Sequence, residues 1–163
     1  MSSAHAFRFR RLGGEEEFSL QAFEGKVVLI VNVASACAYT PQFRDLEALY
    51  LAKQEKGLIV LGLPSNDFGA QEPGTEGQIA SFCSTSYGVT FPMTGKIEIT
   101  GAGRHPLYDW VEEIAGRSSL PRWNFHKLLI NRRGELVDCF PSNVSPLGPE
   151  MMGAVCRALS AES

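Results

Sequence analysis

The chain has 163 residues, enough for one domain with a sizeable core, and we expect residues 1–163 to form that single domain. A net charge of −3 and the lack of a long basic run argue against a nucleic-acid-binding protein. The most apolar stretch, Val27–Val33, is too short to span a bilayer and lies too far along the chain for a signal peptide. We therefore expect a cytoplasmic protein without an integral membrane segment.

The first half of the chain predicts a hairpin followed by a strand–helix–strand unit. Two short β-type runs at residues 7–11 and 18–20, separated by a pair of glycines, are typical of a β-hairpin. The near-continuous apolar run at residues 27–34 predicts a central strand that is buried on both faces. A helix at 41–56 and a second buried strand at 58–63 complete the unit, which requires parallel strands and a right-handed connection.

The second half predicts further elements around the same sheet. Thr75 and Gln78 are typical of a capping box at the start of a helix, and a second helix starts at His105. The remaining predictions are a third strand within 91–99, a hairpin of 127–130 and 135–140, and a last helix with Met152, Val155, Cys156 and Leu159 on one face. Together these elements predict an α/β protein with a thioredoxin-like fold, in which helices flank a central mixed β-sheet.

The central strand delivers Cys37 to a turn that leads directly into a helix. Thr40 is a favoured N-cap residue and Pro41 is favoured at the first helical position, so both predict that the helix starts here. Free backbone N–H groups and the positive end of the helix dipole favour a thiolate at such a position. We therefore interpret Cys37 as a nucleophile, with a buried structural cysteine as the ordinary alternative.

The other cysteines have plainer interpretations. Cys83 shares a predicted inner helix face with Ile79, so the pattern alone indicates a core thiol. Its helix is rich in serine, threonine and glycine, and a weak helix opens locally at low cost. Cys139 and Cys156 are predicted to be structural. The cysteine spacings fit no zinc pattern and the histidines do not cluster in the sequence, so we expect neither a metal nor a cofactor.

Five motifs carry a resemblance to a known family. They are NVASACAYTPQF around Cys37, FGAQEPG at 68–74, the segment from FC to FPM at 82–93, HPLY at 105–108 and WNF at 123–125. In this order and spacing, over nearly the whole chain, they make the sequence similar to the glutathione peroxidases. The resemblance is to the monomeric, cysteine-containing branch that uses thioredoxin.

The resemblance implies a thioredoxin fold and the reduction of hydrogen peroxide and organic or lipid hydroperoxides. It implies that Cys37 is the peroxidatic cysteine, that Gln71, Trp123 and Asn124 surround it, and that Cys83 is the resolving cysteine. Without the resemblance, Trp123 would be interpreted as a core residue, and Gln71 and Asn124 as turn residues. In the implied reaction a sulfenic acid forms on Cys37 and condenses with Cys83 to a disulfide.

Two positions depart from the family pattern just before the glutamine motif. The family usually has a cysteine where this chain has Ser65, which leaves Cys83 as the candidate resolving residue. The family has a neutral amide where this chain has Asp67. A carboxylate close to Cys37 would disfavour the thiolate, so we expect Asp67 to slow the reaction of that sulfur.

The reductant and the oligomeric state are predicted from what the chain lacks. Glutathione has two carboxylates, and a site for it should be basic. The chain has no obvious basic cluster unless Arg122, Arg132 and Arg133 gather in the fold, so we expect thioredoxin, with glutathione as the alternative. Tetrameric relatives have an insertion between the positions of Trp110 and Trp123, and this short segment favours a monomer.

Four other functions compete with this interpretation, and the residues argue against the first two. A peroxiredoxin would place threonine before the cysteine, whereas Thr40 follows Cys37 here, and a thioredoxin-like reductase would require a CxxC motif. A peroxide sensor would use the same residues and pass the Cys37–Cys83 disulfide to a partner protein. A non-catalytic scaffold would leave Cys37 unreactive.

Overall fold

The computed structural model describes residues 3–161, so the ends of the predicted domain, residues 1–2 and 162–163, lie outside the described residues. An N-terminal hairpin pairs β1 (Arg8–Arg10) with β2 (Glu17–Ser19). The main sheet has four strands in the order β4-β3-β5-β6. Their bounds are β3 Val27–Val33, β4 Leu58–Pro64, β5 Lys127–Ile130 and β6 Leu136–Phe140.

The sheet is mixed, as predicted. Strands β3 and β4 are parallel, whereas β5 pairs antiparallel with both β3 and β6. All seven residues of β3 are buried, which explains why its sequence is apolar except at Asn32 rather than alternating. The thioredoxin-like fold predicted from the sequence is confirmed.

Four helices cover the two faces of the sheet. They are α1 (Gln42–Lys53), α2 (Glu76–Tyr87), α3 (Pro106–Ala115) and α4 (Pro149–Ser160). One face of β3, through side chains such as Leu29, packs on buried residues of α1, α2 and α4. The other face, through side chains such as Ile30, packs on α3 and the N-terminal hairpin. None of the helices within residues 3–161 combines the length and apolar character needed to cross a bilayer.

The start of α1 differs from the prediction. The helix begins at Gln42 with Pro41 as its N-cap, and Thr40 does not cap it. Instead, the Thr40 hydroxyl accepts a hydrogen bond from Cys37 N (2.8 Å) and donates one to Ala34 O (2.8 Å). Threonine therefore closes the turn before the helix, because its side chain reaches backbone groups of that turn more directly than those of the helix.

The predicted third strand at residues 91–99 is wrong. This segment forms only single β-bridges, from Met93 to Gly62 and from Thr94 to Arg11. Pro92 has no backbone N–H to donate to a strand ladder, and its carbonyl accepts from Gly62 N (3.0 Å) instead. The apolar pattern of this segment reflects packing onto the sheet edge rather than continuous pairing.

The buried face of α4 is shifted by one position from the prediction. Val155 is buried as expected, but Met151 and Ala158 are buried in place of Met152 and Leu159, which are only half-buried. Cys156 is exposed, so the prediction that it is a structural core thiol is wrong. The buried face of α4 is thus made of Met151, Ala154, Val155 and Ala158.

Candidate active site

Three segments of the chain meet at the carboxyl end of β3. The Cys37 turn (residues 34–40) follows β3 directly, and the loop at 65–74 follows β4, its parallel neighbour. The segment at 123–126 precedes the antiparallel strand β5, so it reaches the same edge of the sheet. Phe125 N donates to Asn32 O (2.6 Å), and the Asn32 side chain donates to Trp123 O (3.0 Å), which fixes this segment to the last residues of β3.

Cys37 is 7% exposed and sits in a tightly bonded turn. Its sulfur accepts a hydrogen bond from the backbone N–H of Tyr39 at 3.3 Å. Its own backbone N–H and the carbonyl of Ala34 are both held by the Thr40 hydroxyl. A backbone N–H aimed at a sulfur is the kind of contact that stabilises a thiolate, and the role of Cys37 as a nucleophile stays a prediction.

Gln71 and Asn124 form a hydrogen-bonded pair beside this turn. Asn124 is fully buried, and its Nδ2 donates to Phe68 O (3.2 Å) and to Gln71 Oε1 (3.0 Å). Gln71 O in turn accepts from Ala36 N (3.0 Å), the residue before Cys37. Asn124 Nδ2 donates to two oxygens, so the pairing orients both amides, and Gln71 Nε2 has no hydrogen-bond partner within residues 3–161.

Trp123 lies next to this pair and packs on both core clusters. Its ring lies so close to Gly69 that a Cβ there would come within 2.6 Å of it. Gly69 also has a φ of +70°, a conformation that other residues rarely adopt, so glycine is required on both counts. The position of the indole therefore depends on the glycine of the FGAQEPG motif.

Cys83 lies on the inner face of α2 and is 2% exposed. Burial, with a smaller contribution from the Glu72 carboxylate, raises the pKa of its thiol to about 12. All four cysteines are free thiols, so the structure describes the reduced protein. A buried, protonated thiol requires a change in α2 before it can attack another sulfur.

A cavity of about 830 Å³ opens beside Tyr39 and Trp123. Cys139, which was predicted to be structural, is half-buried and lines this cavity together with Asp138 and Arg122. Arg122 is the one arginine or lysine among the described residues that line it. The cavity shares Tyr39 and Trp123 with the surroundings of the Cys37 turn and carries little positive charge.

The other two arginines do not join Arg122. Arg132 donates to the carbonyls of Gly25, Lys56 and Leu159 at distances of 2.8 to 3.0 Å. Arg133 pairs with Glu135. The basic cluster considered for glutathione therefore does not form from these three residues.

Two charged or titratable residues have roles in holding the fold. Asp67 Oδ2 accepts from Ile99 N (2.6 Å) and Thr100 N (3.0 Å), so the carboxylate anchors the 91–101 segment. His105 caps α3 through its Nδ1, which accepts from Leu107 N (3.0 Å). Within residues 3–161, no three histidine, cysteine or acidic side chains come together as a metal site.

The sequence analysis did not identify Glu72 as a residue near the site. It is 1% exposed, and burial raises the pKa of its carboxyl, an effect that neighbouring Ser35 and Lys96 oppose. The available signal was its place in the FGAQEPG motif, of which only Gln71 was considered. A glutamate between glutamine and proline reads as a solvated loop residue, and only the fold shows that it is inside.

Comparison with known proteins identifies the family to which the chain is similar. The family model described as "Glutathione peroxidase" matches residues 4–112. "Hydroperoxy fatty acid reductase gpx1" of Synechocystis is 44% identical over 78% of this chain and 80% of its own length. "Thioredoxin/glutathione peroxidase BtuE" of Escherichia coli is 38% identical over 89% of this chain and 91% of its own.

Solved structures agree with the sequence comparisons. The crystal structure of Trgpx in apo form is 33% identical, covers 98% of this chain and 97% of that one, and superposes with a TM-score of 0.78. The peroxidase function predicted from the motifs is thus confirmed at the level of the family. The chain belongs to the glutathione peroxidase family.

Proposed function

We propose that this peroxidase reduces hydroperoxides through Cys37, with Gln71, Trp123 and Asn124 as the groups that assist it. The Cys37 thiolate attacks one oxygen of the O–O bond, and the other oxygen leaves with a proton as water or an alcohol. Cys37 becomes a sulfenic acid. The observation that carries this proposal is the Tyr39 N–H aimed at the Cys37 sulfur, beside the Gln71–Asn124 pair.

The neighbouring amide pair supports the assisting role. Gln71 is joined to the Cys37 turn through Ala36 and has a free Nε2 donor. Positioned neutral donors stabilise an oxygen that gains negative charge as the O–O bond breaks. The same donors cannot form an ion pair with the thiolate, so they leave the sulfur able to react.

We propose that Cys83 then resolves the sulfenic acid. Its thiol displaces water from Cys37, giving a Cys37–Cys83 disulfide, which a thioredoxin dithiol reduces by exchange. The low positive charge around the cavity supports a protein reductant over glutathione. The Escherichia coli relative is named for both reductants, so the choice is left to experiment.

Peroxide consumption with either thioredoxin or glutathione tests the proposal. Cys37→Ser should abolish consumption with both reductants. Cys83→Ser should lose turnover with thioredoxin while still consuming about one equivalent of peroxide, because the first step needs only Cys37. Thioredoxin-driven turnover in Cys83→Ser at the wild-type rate would refute the resolving role.

The substrate class and the assembly are proposals of the same kind. The cavity beside Trp123 has room for a bulky hydroperoxide, which supports organic and lipid hydroperoxides alongside hydrogen peroxide. The Synechocystis relative is named as a hydroperoxy fatty acid reductase, which agrees with this. We further propose a monomer that works in the reducing cytoplasm, to be tested by light scattering and by fractionation.

A further inference from the structure

Asn32 is a buried polar side chain near the end of an apolar strand. It is the one polar residue of β3, whose seven residues are all buried, and it is 1% exposed. Its Nδ2 donates to Trp123 O (3.0 Å), whereas its Oδ1 has no hydrogen-bond partner within residues 3–161. An unpaired buried oxygen costs stability, and asparagine is disfavoured in strands. An apolar residue would serve the packing of β3 better, so packing does not explain the choice of Asn32.

Two hydrogen bonds of Asn32 enclose Asn124. The side chain holds the carbonyl of Trp123, and the backbone carbonyl accepts from Phe125 N (2.6 Å). The residues before and after Asn124 are therefore tied to one residue of the central strand. Asn124 is fully buried, and its Nδ2 donates to Gln71 Oε1 (3.0 Å). The Gln71–Asn124 pair is thus joined to β3 through Asn32.

The backbone is strained on both sides of this pair. Phe125, which follows Asn124, has a φ of +65°, and Ala70, which precedes Gln71, has a φ of +52°. These are the only two non-glycine residues with a positive φ within residues 3–161. Such a conformation is rare for residues with a side chain, and it persists only where the surrounding contacts impose it. At Phe125 those contacts include the hydrogen bond from its own N–H to Asn32 O.

We propose that Asn32 is a positioning residue that holds Trp123 and Asn124 in place beside the Cys37 turn, an inference that rests on the proposed peroxidase reaction. Its side-chain bond to Trp123 O fixes the peptide group that joins Trp123 to Asn124. When that bond is removed, the strained segment relaxes and the Asn124 amide turns away from Gln71. The donors then no longer match the position of the departing oxygen, so cleavage of the O–O bond slows. Asn32 acts through these residues and not by contact with the peroxide.

The test is Asn32→Leu, which keeps the size of the side chain and removes the donor. We expect the second-order rate constant of Cys37 oxidation, measured as hydrogen peroxide consumed in a single turnover, to fall about tenfold or more. Alkylation of Cys37 by iodoacetamide should stay within about twofold of the wild-type rate, because the Tyr39 N–H that bonds the sulfur lies outside this segment. Asn32→Ala removes the same donor without adding apolar bulk and should give the same split between the two rates.

Two controls separate positioning from a general loss of stability. In an Asn124→Ala background, Asn32→Leu should reduce the peroxide rate less than it does alone, because residues that act through one another are not additive. Val28→Ala changes the other end of β3, where Val28 pairs with Ile59 and Ile130. It should lower the free energy of unfolding in urea and leave the peroxide rate of the folded protein as it is.

The outcomes distinguish this inference from the reaction on which it rests. An unchanged peroxide rate in both Asn32 variants would overturn the inference. Equal losses in peroxide reduction and alkylation, or full additivity with Asn124→Ala, would also overturn it. Peroxide consumption that persists in Cys37→Ser would instead refute the proposed reaction itself.

Discussion

The proposed resolving step requires α2 to open, and the contacts that hold this helix differ between its two ends. Its N-terminal turn is held by the Thr75–Gln78 capping box and by Glu76, which bonds Arg10 and the backbone N–H of Gly13. Its C-terminal half ends at the Gly88 cap, whose backbone N–H bonds Ser84 O (3.1 Å), and no side-chain ion pair within residues 3–161 holds it. There the exposed residues Ser81, Ser84, Thr85 and Ser86 surround the buried Cys83.

Strengthening that half should slow disulfide formation. Alanine at Ser84 and Thr85 adds helix propensity of about 0.5 kcal/mol at each position. The Thr85 hydroxyl bonds Ser81 O (2.6 Å), a back-bond of the kind that slightly destabilises helices, so its loss does not cancel the gain. A total of about 1 kcal/mol corresponds to about a fivefold slower reaction, since 1.36 kcal/mol is a factor of about ten.

Tryptophan fluorescence after mixing with one equivalent of peroxide measures the rate, and a glycine pair supplies the opposite test. Ser84→Gly, at an exposed position in that half of α2, should weaken the helix by about 0.5 kcal/mol and speed disulfide formation about twofold. Ala48→Gly, at an exposed position of α1, should leave the rate as it is. Equal rates in Ser84→Gly, the double alanine variant and wild type would refute helix opening as the limiting event.

Three further predictions concern the residues that frame the site. Thr40→Val should lower the free energy of unfolding by roughly 2 kcal/mol or more, because it unpairs two buried backbone groups. Thr40→Ser keeps the hydroxyl and should retain most of the wild-type stability, and urea unfolding measures both. Bonding to Arg10 lowers the pKa of Glu76 to about 2, so stability should fall as pH drops from about 4.5 to about 2, and Glu76→Gln should flatten that acid limb in thermal melts. Asp67→Gln should raise the rate of Cys37 alkylation by iodoacetamide at pH 7, because it removes a negative charge; an unchanged rate would mean that the carboxylate only anchors its loop.

The sequence predicts well those elements in which local preference and burial agree. β3 is apolar at every position except Asn32 because both of its faces are covered, and the Thr75–Gln78 box marks the start of α2 without ambiguity. The 91–99 segment has the same apolar character but packs as an irregular edge around Pro92. Hydrophobic pattern reports burial, and it does not by itself report hydrogen bonding between strands.

The sequence predicted which residues form the candidate site but not the hydrogen bonds that join them. Motif resemblance named Gln71 and Asn124, and the structure joins them directly. Thr40 closes its own turn instead of capping α1, a local choice that its residue type does not decide. The burial of Glu72 depends on how separate loops fold against each other. Such long-range contacts leave no periodic signal in the chain.

Exposure and reactivity make opposite predictions for the cysteines, and this contrast tests the central claim. Cys156 is exposed, whereas Cys37 is only 7% exposed, but its sulfur accepts a hydrogen bond from the Tyr39 backbone N–H. The measurement is mass-spectrometric mapping of dimedone adducts in Cys83→Ser after one equivalent of hydrogen peroxide. The account predicts an adduct on Cys37, and an adduct on Cys139 or Cys156 with Cys37 unlabelled would contradict it.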